Sequence, residues 1–284
     1  MILIADSGST KTDWCLLEAG VSTRFFETEG YNPYFVSSDY IIDSLDRALP
    51  AWVRRSAITA VYFYGAGCFE DRAAIIREAL GVCFPSAVSA VELDLLASAR
   101  ALLGHSAGFV AILGTGCNTC LYDGARIVLN IDSLGYLLGD EGSGFDLGRK
   151  VLSDYIRGYM PPAVANEFSE RYGVSREAIM ETVYTAPLPN RYCASFASFL
   201  LESHSGNDYT LGVALQGFRD FFAHLVSHYP GYRQYTFNCV GSVAEAFRAV
   251  LAVVAAEYGM QMGRILRAPI QGLAEFHRSD AAGL

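Results

Sequence analysis

Residues 2–17 read ILIADSGSTKTDWCLL: four apolar residues run into Asp6, a Gly/Ser/Thr turn carries Lys11 and Thr12, and apolar residues resume. A P-loop needs a glycine, four residues and then Gly-Lys-Ser/Thr opening a helix. Here Ser9-Thr10 precedes Lys11-Thr12, so the second glycine is missing. Asp13-Trp14-Cys15-Leu16-Leu17 then favours a strand by its aromatic and apolar content. The stretch is a β-hairpin. Its turn still offers backbone N–H groups and hydroxyls to phosphate oxygens, at Gly8, Ser9, Thr10 and Thr12. Lys11 adds a point charge, and Asp6 at the strand end is placed to hold Mg2+ through water. Taken alone, the stretch fits an ordinary Gly-Ser turn with a solvated lysine equally well.

Outward from this hairpin the pattern is strand-strand-strand-helix-strand-helix-strand-helix, the last helix closed by Gly104. The pattern then restarts. GFVAIL (108–113) is a strand, GTGCN a Gly-rich turn, TCLYDG a returning strand and ARIVLNI a third across Asp123-Gly124. Helical stretches follow, among them 144–159, 175–184, 191–203 and 211–229. TFNCV (236–240) is a strand, 241–259 a turn and helix, and 264–277 a strand and helix. Strand, Gly turn, strand, strand thus occurs twice, about a hundred residues apart, as a repeat of pattern rather than of sequence. The expected organisation is two mixed α/β halves facing each other across a cleft, divided near residue 105.

The 284 residues are 52% hydrophobic and 18% charged, as in a well-packed chain of one large or two medium domains. A net charge of −9 disfavours nucleic acid or an anionic membrane surface as the main partner, so an anionic ligand needs local donors or a metal ion. No stretch is long and apolar enough for a membrane span. Asp6 interrupts the first apolar run too early for a signal peptide. Seven scattered cysteines suit reduced thiols in cytoplasm.

The second copy strengthens the first. LGTGCNT (113–119) is again a Gly-rich hairpin after an apolar strand, and two such turns in duplicated halves suit the two ends of a triphosphate. GYLLGDEGSGFDLG (135–148) sets Gly139, Asp140, Glu141, Gly142 and Ser143 ahead of a helix. An N-cap accounts for Ser143 and one acid, but not for the closely spaced glycines. In TFNCVGSVAEAF, a buried strand reaches Gly241-Ser242 and a helix begins, a turn that lets a ligand approach the backbone.

Asp6-x-Gly8-x-Thr10-Lys11-Thr12, Gly114-Thr115-Gly116-x-Asn118, Gly139-Asp140-Glu141-Gly142-Ser143 and Cys239-Val240-Gly241-Ser242, in this order, resemble the N-acetylglucosamine kinase and BadF/BadG/BcrA/BcrD ATPase family. That family belongs to the actin/sugar kinase/Hsp70 superfamily, and the match spans essentially the whole chain. The resemblance implies an α/β fold of two duplicated ribonuclease H-like (actin-like ATPase) domains, 1–105 and 106–284, with a central cleft. The second would carry helical insertions, and the last helix would pack back on the first. It implies an ATP site built from both hairpins and the 241–243 turn, with Mg2+ at Asp6. It also implies a carboxylate, after a strand and before a helix, that takes the proton of a sugar hydroxyl; Asp94 fits that place, where helix capping is the alternative. For the sugar it points to Asn32, Asn118 and Asp140. The expected function is an ATP-dependent cytoplasmic kinase of an amino sugar, most readily N-acetylglucosamine or glucosamine, with a homodimer as a further expectation. The alternative is a nucleotide-dependent activator or switch, as in the BadF/BcrA branch. The family's Gly-Trp-Gly before GDEGS, whose aromatic lies near the N-acetyl group, is Ser133-Leu134-Gly135 here. N-acetylmuramic acid and other amino sugars therefore stay open.

Three further patterns point to no site. Cys117-x-x-Cys120 has no second CxxC, and on a strand its two side chains face opposite ways. His224 and His228 have zinc-like spacing but no third ligand. No Gly-x-Ser-x-Gly occurs.

Overall fold

The structure, a computed structural model, describes residues 1–8 and 10–282; Ser9, expected at the first phosphate turn, lies outside the described residues. The chain forms two compact units. One comprises Met1–Ser106, Gly124–Arg126 and the segment from Ala268, the other Ala107–Asp123 and Ile127–Arg267.

The first unit runs β1 (Ile2–Ser7), β2 (Lys11–Leu17), β3 (Arg24–Glu29), α1 (Ser38–Ala48), β4 (Ala60–Gly65), α2 (Glu70–Cys83), β5 (Val88–Leu93) and α3 (Asp94–Leu103). Its sheet has the order β3-β2-β1-β4-β5. The β1–β2 and β2–β3 pairs are antiparallel, and β4 and β5 add in parallel to β1. Trp14 fixes the register of the opening hairpin. It is fully buried and stacks on Phe26, with centroids 5.7 Å apart, and its Nε1 donates to Thr28 Oγ1 at 2.9 Å. A one-residue slip would turn this ring, and Leu16 with it, to the other face. Ser37 caps α1 by accepting the N–H of Tyr40.

The second unit runs β6 (Gly108–Leu113), β7 (Cys117–Tyr122), β8 (Ile127–Ile131), α4 (Gly135–Leu138), α5 (Gly144–Arg157), α6 (Pro162–Tyr172), α7 (Arg176–Thr185), α8 (Pro189–Ala194), α9 (Phe199–Glu202), α10 (Asn207–His224), β9 (Thr236–Val240), α11 (Ser242–Ala246), α12 (Arg248–Glu257) and β10 (Gln261–Leu266). Its sheet order, β10-β9-β6-β7-β8, repeats the first: two antiparallel hairpin partners on one side of the leading strand, two parallel strands on the other. The α5–α8 crossing is close. A Cβ on Gly148 would lie 1.8 Å from the Cys193 carbonyl oxygen, so only glycine lets the two backbones meet.

Two helices expected to be continuous are broken. Between 191 and 203 the chain leaves α8 at Ser195, whose hydroxyl takes the Tyr192 carbonyl at 2.7 Å and competes with the helical ladder. Between 241 and 259 it breaks at Phe247, which is buried edge-on against Phe218 with φ −100°. His224 ends α10 and His228 sits in a separate 3-10 turn, so the two do not share a helix face.

The final helix, α13 (Ile270–Ala282), belongs to the first unit and packs on α3, with the Ala101 backbone against Gly272. It carries His277 into a buried network. Tyr64 Oη lies 2.8 Å from His277 Nε2, and Arg100 donates to the same hydroxyl at 2.6 Å. Burial, and then the Arg100 charge, hold the imidazole pKa down at about 4.

Two outcomes test this packing. Gly148→Ala is expected to lower stability by about 3 kcal/mol through overpacking, read from the midpoint of chemical unfolding. His277 stays neutral in the fold but charges in the unfolded chain below its ordinary pKa. Its contribution is therefore complete above about pH 6.5 and lost as pH falls toward 4, roughly 3 kcal/mol in all. His277→Gln should flatten that part of the stability–pH curve, measured against the unsubstituted protein.

Candidate active site

In the first unit the singled-out residues gather at one edge, outside the carboxyl ends of β1, β3, β4 and β5, where open α/β sheets hold ligands. Gly8 N–H donates to the Lys11 carbonyl at 3.0 Å and closes the β1–β2 turn, and Gly30 N–H holds the Thr10 carbonyl at 3.0 Å. Thr12 is buried. Its hydroxyl lies 2.7 Å from Ser7 Oγ and donates to the Glu29 carbonyl at 2.9 Å, so it braces the turn from inside. Lys11 projects from the opposite face and binds Asp13 Oδ1 at 2.9 Å and Glu27 Oε1 at 3.0 Å. Asn32 forms an Asx turn with the Tyr34 N–H at 3.0 Å.

Asp6 and Asp94 meet at this edge. Asp6 lies on the β1 face that α3 covers, and Asp94 opens α3 directly after β5. No side chain caps α3. Removal from water, then the charges of Asp94 and of Asp13, its partner across the β1–β2 register, push Asp6 up to about 8. Burial likewise raises the Asp94 carboxyl, against backbone N–H groups of the first helical turn that lower it. Two desolvated carboxylates that repel each other fit a hard divalent cation, whose charge reverses both penalties. Among the described residues no group of three or more His, Cys, Asp or Glu could hold a metal ion. Mg2+ matches such a site, since it takes one or two carboxylates and completes its shell with water and phosphate.

In the second unit three motifs converge on the carboxyl ends of β6 and β9. The Gly114–Thr115–Gly116 turn is closed by Gly114 N–H to the Gly116 carbonyl at 2.9 Å. The first N–H groups of α5 point into that turn, from Gly144 to the Gly114 carbonyl (2.8 Å) and from Phe145 to the Thr115 carbonyl (3.0 Å). Gly241 has φ +138°, and a Cβ there would sit 2.0 Å from the Leu113 carbonyl oxygen, so only glycine brings this turn against the hairpin. Ser242, exposed, begins α11.

Asp140 is buried at a positive φ of 60°. Its Oδ1 accepts the Cys117 N–H at 2.9 Å, and its own N–H reaches the Ser133 carbonyl at 3.0 Å. Desolvation raises its pKa. Asn118, on β7, accepts the Thr119 N–H and the Asn130 amide, both at 2.9 Å. Two residues to which the sequence reading gave no role at the site matter here. Asp13 is found by period-two alternation across from Asp6. Asp146 stands three residues after the capping Ser143, as in a capping box. It is buried and accepts the Gly142 N–H at 3.1 Å, Arg149 at 2.8 Å and Lys150 at 2.6 Å.

Two mixed sheets of one strand order, each ending in a glycine-rich hairpin, define the actin-like ATPase fold of the sugar kinases. No protein-family model matches the chain, and no curated protein matches it. Among solved structures, one from Porphyromonas gingivalis described as "putative N-acetylglucosamine kinase" is 40% identical, covering 99% of this chain and 100% of its own, with a TM-score of 0.93. A Chromobacterium violaceum protein of the same description is 17% identical over 97% of this chain and 98% of its own, with a TM-score of 0.73. A ROK family glucokinase from Streptomyces griseus, in complex with glucose and AMPPNP, is 13% identical over 98% and 99%, with a TM-score of 0.56. The last two likenesses are of fold alone. On the first, the chain belongs to the N-acetylglucosamine kinase family, whose members are ATP-dependent phosphotransferases acting on sugars.

Gly241→Ala is expected to destabilise the protein by about 3 kcal/mol, combining backbone strain with the clash at Leu113. Thermal unfolding of the variant beside Ser242→Ala, expected within about 0.5 kcal/mol of the parent, checks this.

Proposed function

We propose that this protein transfers the γ-phosphoryl group of ATP to a hydroxyl of an amino sugar, with N-acetylglucosamine and glucosamine as first candidates. The observation that carries the reading is the Asp6–Asp94 pair at the edge that also presents the Gly8–Thr10 turn and Asn32. Identity of 40% to the Porphyromonas gingivalis protein supports the substrate class.

In this reading Asp94 orients the attacking hydroxyl and accepts its proton, and a pKa raised by burial makes it a stronger base. Phosphoryl transfer asks mainly for positioning and charge neutralisation. Backbone N–H groups of the two hairpins and of the 241–243 turn hold the phosphates, with Ser242 alongside. Lys11, leaving Asp13 or Glu27, adds positive charge, while Thr12 keeps the first turn in shape. Asp6 holds Mg2+, which when bound neutralises charge on the phosphate oxygens. Asn32, Asn118 and Asp140 meet the sugar hydroxyls with short donors and acceptors. The Asp140–Cys117 bond ties sugar recognition to the Gly114–Gly116 turn.

No observation favours the nucleotide-switch alternative. All seven cysteines are buried, so none is presented at the surface to a cluster shared between subunits.

Coupled ADP release across hexoses, hexosamines and N-acetylated hexosamines tests the assignment. Asp94→Asn is expected to cut the sugar-stimulated rate at least about 100-fold while ATP binding persists. A near-parental rate in that variant would remove Asp94 from the role of base. A slow ATPase indifferent to every sugar would overturn the kinase reading itself.

A further inference from the structure

Beside the candidate active site, the second unit holds a cavity of about 570 Å³ between α5 and α10, lined among others by Arg149, Lys150, Asp154, Arg157, Tyr209 and Gln216. This volume suits a small metabolite. Lys150, Asp154 and Arg157 project from α5 away from Gly148, whose side of the helix packs on α8.

The donors and acceptors of the cavity are unequally engaged. Arg149 bonds Asp146 through one nitrogen only, and Arg157 makes no hydrogen bond or ion pair among the described residues. Lys150 is shared between Asp146 and Asp220. Asp154 accepts only the Tyr209 hydroxyl, at 2.9 Å, and Asp208 also lines the space. Two guanidiniums with donors to spare suit a phosphate monoester, which they can grip bidentately. Two aspartates with lone pairs to spare would repel a bare anion but accept hydrogen bonds from hydroxyls. The combination selects a ligand with both groups.

The cavity is also wired to the loop before α5. Arg149 and Lys150 both hold Asp146, and Asp146 Oδ2 holds the Gly142 N–H. A ligand that draws Arg149 away removes one of the two cations that fix the Asp146 side chain, and so frees its position against Gly142, two residues from Asp140.

We propose that this α5–α10 cavity is a second binding site, for a small phosphorylated polyol, whose occupation loosens the 139–143 loop and weakens sugar binding. The coupling half rests on the kinase reading; the binding half does not.

Calorimetric titration of the whole chain with glycerol 3-phosphate tests the binding half, with glycerol and inorganic phosphate as separate arms. Glycerol 3-phosphate is expected to bind with one site at millimolar affinity or better. Inorganic phosphate should bind more weakly and glycerol not at all. Arg157→Glu should weaken binding at least about tenfold, and Arg157→Ala by less, with parental activity in the absence of the probe. No heat up to about 10 mM probe, or equal binding by Arg157→Glu, overturns the site. Phosphate binding as tightly as glycerol 3-phosphate overturns the polyol specificity. For the coupling, saturating probe should raise the sugar KM at least about twofold in the parent and not in Arg157→Glu. Binding with an unchanged KM overturns the coupling alone. Failure of every sugar to support turnover would fall on the kinase reading and leave the calorimetry standing.

Discussion

The second unit is organised around two backbone bonds, from the N–H groups of Gly144 and Phe145 to the carbonyls of Gly114 and Thr115. A helix begins with N–H groups that nothing inside it can satisfy. In α5 a hairpin turn takes two of them, and the Ser143 hydroxyl takes the N–H of Asp146. Satisfying the helix thus fixes where the GDEGS loop sits relative to LGTG. The close approach at Gly241 and the Asp140–Cys117 bond then build on that arrangement. A Cβ at Gly241 would meet main chain, and one at Gly116 would meet the buried Asp140 carboxylate.

The two units solve one topological problem with different chemistry. The first sets carboxylates at its strand ends, with Asp6 and Asp94 sharing a space that raises both pKa values. The second sets glycines there and presents main chain.

Much of this was legible because it depends on local order. The strand character of Asp13–Leu17, the missing P-loop glycine and the repeated strand-turn-strand pattern carry the doubled sheet. Ser143 reads as a cap and is one. What stayed hidden depends on long-range partners. Lys11 and Thr12 are neighbours in sequence and read alike as phosphate-facing, yet alternation on β2 sends Thr12 into the interior and Lys11 to Asp13 and Glu27. The break at Phe247 follows from its seat against Phe218, and the one at Ser195 from a hydroxyl that prefers a carbonyl of its own helix. α6, opened by Pro161-Pro162, buries only Val164 and Phe168, too short a stripe to stand out in the sequence. Asp146 has a local signal in its spacing from Ser143, but its hold on Gly142 beneath Arg149 and Lys150 shows only in the fold.

The membership of α13 in the first unit bears on how the protein is made. Leu273, Ala274 and His277 are buried there, closing the sheet face that carries Ile4 and Tyr64. A nascent chain emerges in order, so this face is covered only in part, by α3, while the whole of the second unit is translated. The second unit has its own complete sheet before α13 leaves the ribosome. Maturation of the first unit therefore waits for α13, a helix made only after every strand of the second unit.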